Sequence, residues 1–343
     1  LSVLKNVDCI LGNSSSGLIE APSIKIPTIN MGDRQKGRLK ANSVIDSKPV
    51  ESLITKSIKK IHSKKFRKNL KYTRNPYEYK NSSHKNYRII KKMIDYGRIG
   101  DIVSGQVYWN SSGVWVRPRK PRQTELEYQM RNWYYFNWLC GDHILEQHIH
   151  NIDIANWFIG SVPLSAQGMG GRQVRKGPDH GQIFDHHFVE FTYPNGQVIA
   201  SQCRHQEGCM NRVDERFQGT RGDVIVNSAH YGVIKSKRGR VLYDHDGEQD
   251  INPYQQEHNE LFAAIKAGKH LFTDFERGSN STMTAILGRM ASYSGQEITW
   301  EEALASNLKL VPENLSSFKD TAPVLPDKEG NYPVPVPGVT RFI

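Results

Sequence analysis

Between residues 188 and 203 apolar and polar side chains alternate, and Pro194-Asn195-Gly196 interrupts the alternation at its midpoint. A period of two sends successive side chains to opposite faces, and an Asn-Gly break is turn chemistry, so this stretch can hardly be anything but an antiparallel hairpin. Residues 102–109, 224–226 and 240–243 repeat the pattern, with Gly222 as a further break. We therefore expect a mostly antiparallel open sheet with helices on one face.

A helical period takes over at residues 141–153, which read Gly-Asp-His-Ile-Leu-Glu-Gln-His-Ile-His-Asn-Ile-Asp. At about 100° per residue, Leu145, Ile149, Ile152 and Ile159 share one stripe, with Ile144 and Ala155 at its margin. Asp142, Glu146, His150 and Asp153 follow one another on the other side at spacings of three or four, where neighbouring side chains can touch. A carboxylate beside an imidazole fixes its tautomer and raises its pKa, as a general acid/base acting on a hydroxyl requires. A solvated, salt-bridged helix face is the plainer reading of the same spacing.

The formal charge of +11 is confined to one end: residues 1–83 hold 17 Lys/Arg against 6 Asp/Glu, and the remainder is balanced at 29 against 29. Much of the excess lies in residues 56–71, interleaved with Ile58, Ile61, Phe66 and Leu70, the pattern of amphipathic helices with a solvated basic face. No aromatic stacking platform accompanies it, so a nucleic-acid partner is not expected. No apolar run is long enough to span a membrane. Cys9, Cys140, Cys203 and Cys209 form no Cys-x-x-Cys pair, so we expect free thiols in a reducing, cytoplasmic compartment. The chain starts at Leu1 without a signal peptide and reads as a fragment. The charge break suggests two segments, residues 1–83 and 84–343.

The first segment opens with an apolar run at residues 7–11, a small-residue loop, Gly12-Asn13-Ser14-Ser15-Ser16-Gly17, and a helical pattern at 18–23. Ile26-Pro27-Thr28-Ile29-Asn30 follows as a second strand, and residues 32–38 supply cations. Strand, loop and helix start form a partial Rossmann-like βαβ segment, in which backbone N–H groups and a positive helix end suit a pyrophosphate. Residues 12–22, 30–38 and Asn75-Pro76-Tyr77 resemble the carboxyl-terminal end of the hydrolysing UDP-N-acetylglucosamine 2-epimerases. The resemblance implies that Ser14, Ser15, Glu20 and Arg34 bind the UDP moiety, the serines at phosphate and Glu20 at ribose. It also implies a missing first domain that would carry the catalytic groups.

In the second segment a helix at residues 86–96 ends at Gly97, and Trp115, Trp133, Tyr134, Tyr135, Phe136 and Trp138 precede the 141–153 helix. That aromatic group is either a sugar platform or core. The order Gly-x-Ile-Gly-Asp-Ile, aromatic helix, charged helix and sheet is similar to the catalytic domain of the glucose-fructose oxidoreductase and inositol dehydrogenase (Gfo/Idh/MocA) family. Residues 252–258 and Ser281-Thr282-Met283-Thr284 extend the match. By this resemblance Glu146 and His150 stand where the family has an Asp-x-x-x-His pair facing substrate, and Asp153 matches a further acid. The resemblance implies NAD(P), but the family's dinucleotide-binding domain does not precede this segment. Gly168-Met169-Gly170-Gly171 has Gln173 where a third glycine should stand.

Two back halves thus stand in tandem, as a recombined or mis-assembled gene would leave them. The expected function is an oxidoreductase-type domain for a sugar or polyol, catalytically incomplete, joined to a UDP-N-acetylglucosamine 2-epimerase remnant. The alternatives are an epimerase fragment of nucleotide-sugar metabolism and a non-catalytic binding or assembly module. The seven histidines between His143 and His205 lack His-Glu-x-x-His spacing, so no metal is expected. Homo-oligomers are expected through the open sheet face and the Pro-rich tail at residues 313–343, whose Val334, Val336, Val339 and Phe342 call for burial.

Overall fold

The computed structural model describes residues 7–14, 16–19, 21–36, 40–73, 83–227, 231–247, 253–270 and 274–341. Two compact units divide the chain, Leu1–Lys85 and Asn86–Ile343.

Unit 1 holds a three-stranded parallel sheet, β1 (Ile10–Gly12), β2 (Thr28–Met31) and β3 (Val44–Ser47), in that spatial order. Between β1 and β2 stands only a four-residue helix, α1 (Ser16–Ile19), followed by a 3-10 turn, Ala21–Ile24. The expected helix over 18–23 is therefore broken, because Pro22 cannot donate to an α-helical ladder. A single turn has no macrodipole worth invoking for a pyrophosphate. After β3 come α2 (Glu51–His62) and α3 (Lys64–Leu70), the expected basic helices, which bury Ile61 and Leu70 and leave most lysines in solvent.

Unit 2 opens with α4 (Ser83–Asp95), closed by Gly97 in the left-handed region, its N–H bonded to the carbonyl of Ile94. β4 (Ile102–Ser111), α5 (Glu125–Arg131), α6 (Asn137–Cys140), α7 (His143–Glu146) and α8 (Ile149–Ile159) follow. Then come β5 (Ser165–Gly171), β6 (His186–Thr192), β7 (Val198–His205), β8 (Arg212–Gly219), β9 (Gly222–Val226), β10 (Gly232–Ser236) and β11 (Val241–His245). The chain continues through α9 (Pro253–Lys266), α10 (Phe275–Ser294), β12 (Ile298–Thr299) and α11 (Trp300–Ala305). The nine strands form one sheet in the order β11-β10-β9-β8-β4-β7-β6-β5-β12, antiparallel except for β4 beside β7. The Pro194-Asn195-Gly196 turn closes β6 onto β7 as expected, pairing Thr192 with Val198. Class and layering match the sequence reading: mixed α/β, a small parallel sheet, and a large mostly antiparallel sheet with helices.

The charged stretch is not one helix. The amide of His148 reaches back five residues to the carbonyl of His143, at 3.1 Å, which interrupts the ladder between α7 and α8. This break shifts the phase of the buried stripe. Ile144, Ile152, Ala155 and Phe158 are the residues fully in the core, while Leu145, Ile149 and Ile159 are only partly covered. Under α8, Glu215 of β8 is a buried carboxyl accepting from Asn151 Nδ2 at 2.6 Å and from the Tyr87 hydroxyl at 3.2 Å, and burial raises its pKa to about 8.

Association is expected through the open sheet face and the tail. Polar side chains, not apolar ones, occupy much of the strand surface opposite the core: Gln106 pairs with Gln218, Gln167 with Glu190, and Asp214 with Arg212 and Arg216. The tail lies on its own unit: Gly338 N–H bonds the carbonyl of Ser294, Gln129 that of Val324, and Tyr332 is buried against Phe136. Phe342 lies outside the described residues. No helix among the described residues is long and apolar enough to cross a membrane.

Candidate functional site

Glu146 ends α7 and His150 begins α8, so the interruption between the two helices presents both. His150 is exposed, with its ring 5.9 Å from that of Trp109 in β4. Glu146 is half-buried; burial raises its pKa, opposed by the nearby Tyr134 side chain and by His150. A carboxyl so placed carries a proton more readily than one in water. Asp153 goes elsewhere: it accepts from Ser281 Oγ at 2.7 Å and lies 3.5 Å from Arg277 Nε, both on α10. The helix-face row of four ionisable groups is thus divided among three environments.

Asp142 is the centre of the most buried of them. Its Oδ1 accepts from His143 Nδ1 at 2.8 Å; its Oδ2 accepts from the Phe184 amide at 2.9 Å and from the Tyr293 hydroxyl, with His187 Nε2 3.3 Å away. Burial opposes its charge, yet His187 and His143 hold the carboxyl well below the usual range. Its backbone, at φ 76° and ψ 163°, lies in a region that only glycine occupies without strain. Asp142, His143 and His187 form the one cluster with metal-ligand proximity among the described residues. Both carboxylate oxygens are already taken by protein donors, so this is a hydrogen-bonded core rather than an open coordination site.

A row of rings leads outward from this core. His187 and His143 stand 4.9 Å apart, His143 stacks on His205 at 4.6 Å, and His205 stacks on Tyr134 at 6.0 Å. Arg175 Nη2 lies 2.8 Å from His205 Nδ1; since guanidinium only donates, His205 is left with its proton on Nε2. Burial lowers the pKa of His143 to about 4, that of His148 to about 3 and that of His205 to about 2, so all three are neutral at physiological pH. Five atoms along and beside this row are buried without a well-formed hydrogen bond among the described residues, Tyr134 Oη, His143 Nε2, Glu146 Oε2, His187 Nε2 and His205 Nε2; of these, His187 Nε2 stays 3.3 Å from Asp142 Oδ2, and the Tyr134 hydroxyl is near enough to Glu146 to lower its pKa. Buried polar atoms are normally satisfied, so orphans gathered along one row point to water or ligand hydroxyls.

Sequence reasoning singled out Glu146 and His150 and counted Tyr134 within a possible sugar platform, but missed Arg175, His187 and His205 as site residues. The density of histidines between 143 and 205 was the only signal for the two histidines, and Arg175 had none. Most of the aromatic group proves to be a second core, with Tyr134, Tyr135 and Phe136 buried beside Tyr128, Ile183 and Tyr332.

In unit 1, Ser14 Oγ accepts from the Ser16 amide at 3.3 Å, and Gln35 Nε2 donates to the carbonyl of Asn13 at 2.7 Å. This ties the loop after β1 to the loop after β2 that carries Arg34; Ser14 and Arg34 are both exposed. Ser15 and Glu20 lie outside the described residues.

Unit 2 is a broad sheet backed by helices, with Glu146 and His150 at a helix break. Residues 91–299 match the description "Oxidoreductase family, C-terminal alpha/beta domain", and the chain belongs to this Gfo/Idh/MocA family. Residues 1–91 match "UDP-N-acetylglucosamine 2-epimerase", so the chain is a two-part chimera. Polysialic acid biosynthesis protein P7 of Escherichia coli is 44% identical over 94 residues, 27% of this chain and 24% of that protein. The GDP/UDP-N,N'-diacetylbacillosamine 2-epimerase (hydrolyzing) of Campylobacter jejuni is 45% identical over 69 residues, 20% and 17% of the two chains. This chain therefore spans a quarter or less of those relatives. Among solved structures, a putative oxidoreductase from Thermotoga maritima aligns at TM-score 0.48 and 19% identity, covering 86% of this chain and 80% of that one. A levoglucosan dehydrogenase complexed with NADH and levoglucosan aligns at TM-score 0.48 and 18% identity, covering 63% and 65%.

Among the described residues of unit 2, the glycines of residues 168–171 do not form the turn that a dinucleotide's pyrophosphate needs. Gly168, Gly170 and Gly171 lie in β5, where a Cβ at Gly168 or Gly170 would meet the carbonyl of Phe188 or His186 at 2.8 or 2.7 Å. These glycines serve close strand packing, and no described glycine-rich turn opens a helix longer than α1.

Proposed function

We propose that unit 2 is a sugar- or polyol-binding domain of this oxidoreductase family that does not turn over NAD(P) by itself. The observation that carries the reading is a row of buried atoms beside the acid/histidine pair: His143 Nε2 and His205 Nε2, which have no partner among the described residues, and Tyr134 Oη and Glu146 Oε2, which have at most each other. Donors and acceptors alternate along it, since neutral His143 offers a lone pair and His205 an N–H. A polyol hydroxyl both donates and accepts, and so suits such a row. Glu146 would hold or release a proton at the hydroxyl, with the exposed His150 as exchange partner to solvent. Asp153 would act only by fixing α8 to α10. Titration calorimetry with glucose and myo-inositol tests the reading: wild-type protein should bind one of them, and Tyr134→Phe should weaken it about tenfold. Equal affinity in both proteins would remove the site. Absorbance of reduced nicotinamide should stay flat with either polyol, and turnover abolished by His150→Ala would overturn the incompleteness.

A second reading rests on residues 1–91, whose relatives include a hydrolysing epimerase of GDP/UDP-sugars. We infer that unit 1 binds UDP weakly through Ser14, Ser15, Glu20 and Arg34. A surface site without its opposing domain lacks preorganisation. UDP heats that are the same for wild type and Arg34→Ala would dispose of it.

A further inference from the structure

The segment after β5 gathers three cations beside the tail. Arg172 donates through Nη1 to the carbonyl of Gly181 at 2.6 Å and through Nε to that of Arg175. Arg175, only 4% exposed, donates through Nη1 to the carbonyl of Phe184 at 2.5 Å and lies 5.2 Å over the Tyr135 ring. Lys176 is exposed. With Gly177 they line one side of a cavity of about 380 Å³, whose other side is Asn331 and Tyr332 of the tail. That volume falls in the range of small-molecule pockets.

Among the described residues, none of these cations has a carboxylate within ion-pair distance. Asp185, an acid that acts electrostatically on Arg172, is used otherwise: Oδ2 accepts from the amides of Gln173, Val174 and Arg175, and Oδ1 from His186 and Gln206. It shapes the loop and leaves the guanidiniums to backbone carbonyls. Burial, and then the positive charge of Arg175, lower the pKa of Arg172. A buried guanidinium beside another, with no paired anion, is costly, and an oxyanion entering between them would relieve it through charge-assisted hydrogen bonds.

We propose that this cavity binds the oxyanion group, carboxylate or phosphate, of a small ligand, with Arg172, Arg175 and Lys176 as its cations and the 331–332 segment as its wall. Arg175 also bonds His205 of the hydroxyl-reading row, so the test rests on Arg172 and Lys176, which are not part of that row, and its outcome does not depend on that reading. Calorimetric titration of the full chain with inorganic phosphate, with gluconate and with glucose distinguishes the sources. Phosphate or gluconate should bind, more weakly as salt is raised, and the one that binds names the group. Arg172→Gln should lower that affinity at least tenfold, and the exposed Lys176→Glu, which leaves the packing intact, should lower it similarly while glucose heats stay unchanged. Absence of both anion heats in the wild type, or unchanged anion affinity in folded Lys176→Glu and Arg172→Gln, would overturn the proposal.

Discussion

Acidification from about pH 6.5, where unfolded histidines are half protonated, to pH 5 should remove about 3 kcal/mol of folding stability, enough to unfold much of a marginally stable chain. His143, His148 and His205 are buried neutral, with pKa values lowered by burial to about 4, 3 and 2. An unfolded histidine titrates near 6.5, so below that pH the unfolded chain binds three protons that the folded chain refuses. A depressed pKa contributes stability that is present above the unfolded value and is lost as pH falls towards the folded one. Glu215 acts in the opposite sense. Its pKa, raised to about 8, makes the folded chain the better proton binder between about 8 and 4.5, so it offsets one of the three. Two net protons correspond to about 3 kcal/mol per pH unit. Urea unfolding at several pH values reads this slope, and Glu215→Gln should make it steeper by removing the offset. A stability that is level from pH 7 to pH 5 would mean that the histidines are already charged in the fold.

Asp142→Ala should cost about 3–5 kcal/mol, because it orphans donors from His143, Phe184 and Tyr293 at once at a fully buried position. Asp142→Gly loses the same hydrogen bonds but relaxes a backbone held at φ 76° and ψ 163°, where strain on a residue with a Cβ is about 1–3 kcal/mol. Glycine should therefore be the milder of the two substitutions, an order opposite to that of ordinary positions. Thermal or urea denaturation of the pair decides. A loss below about 1 kcal/mol for alanine would show that the carboxylate does not organise the core.

The parts of this fold legible in advance are those written in local periodicity. The β6–β7 hairpin is one, since alternation and an Asn-Gly turn act within about ten residues; the α4 end at Gly97 is another. β5 was illegible because its three glycines read as a turn, and only the close approach of the Phe188 and His186 carbonyls explains them. The single helix expected from residue 141 through 153 failed for a related reason. A helical wheel assumes an unbroken ladder, and one amide bonded five residues back was enough to move Ile144 and Ala155 from the margin of the core into it.

The sequence by itself determined the chain's two origins, the charge division between them and the sheet class. These depend on residue types and spacings that stay within a segment. Which ionisable groups meet was decided by the tertiary structure alone. Asp142 finds Phe184 and Tyr293, 42 and 151 residues away, Asp153 finds Ser281, 128 residues away, and Arg175 finds His205, 30 residues away. Hydrogen-bond partners and burial set a side chain's charge state, and both are properties of packing between distant segments, which no local spacing encodes.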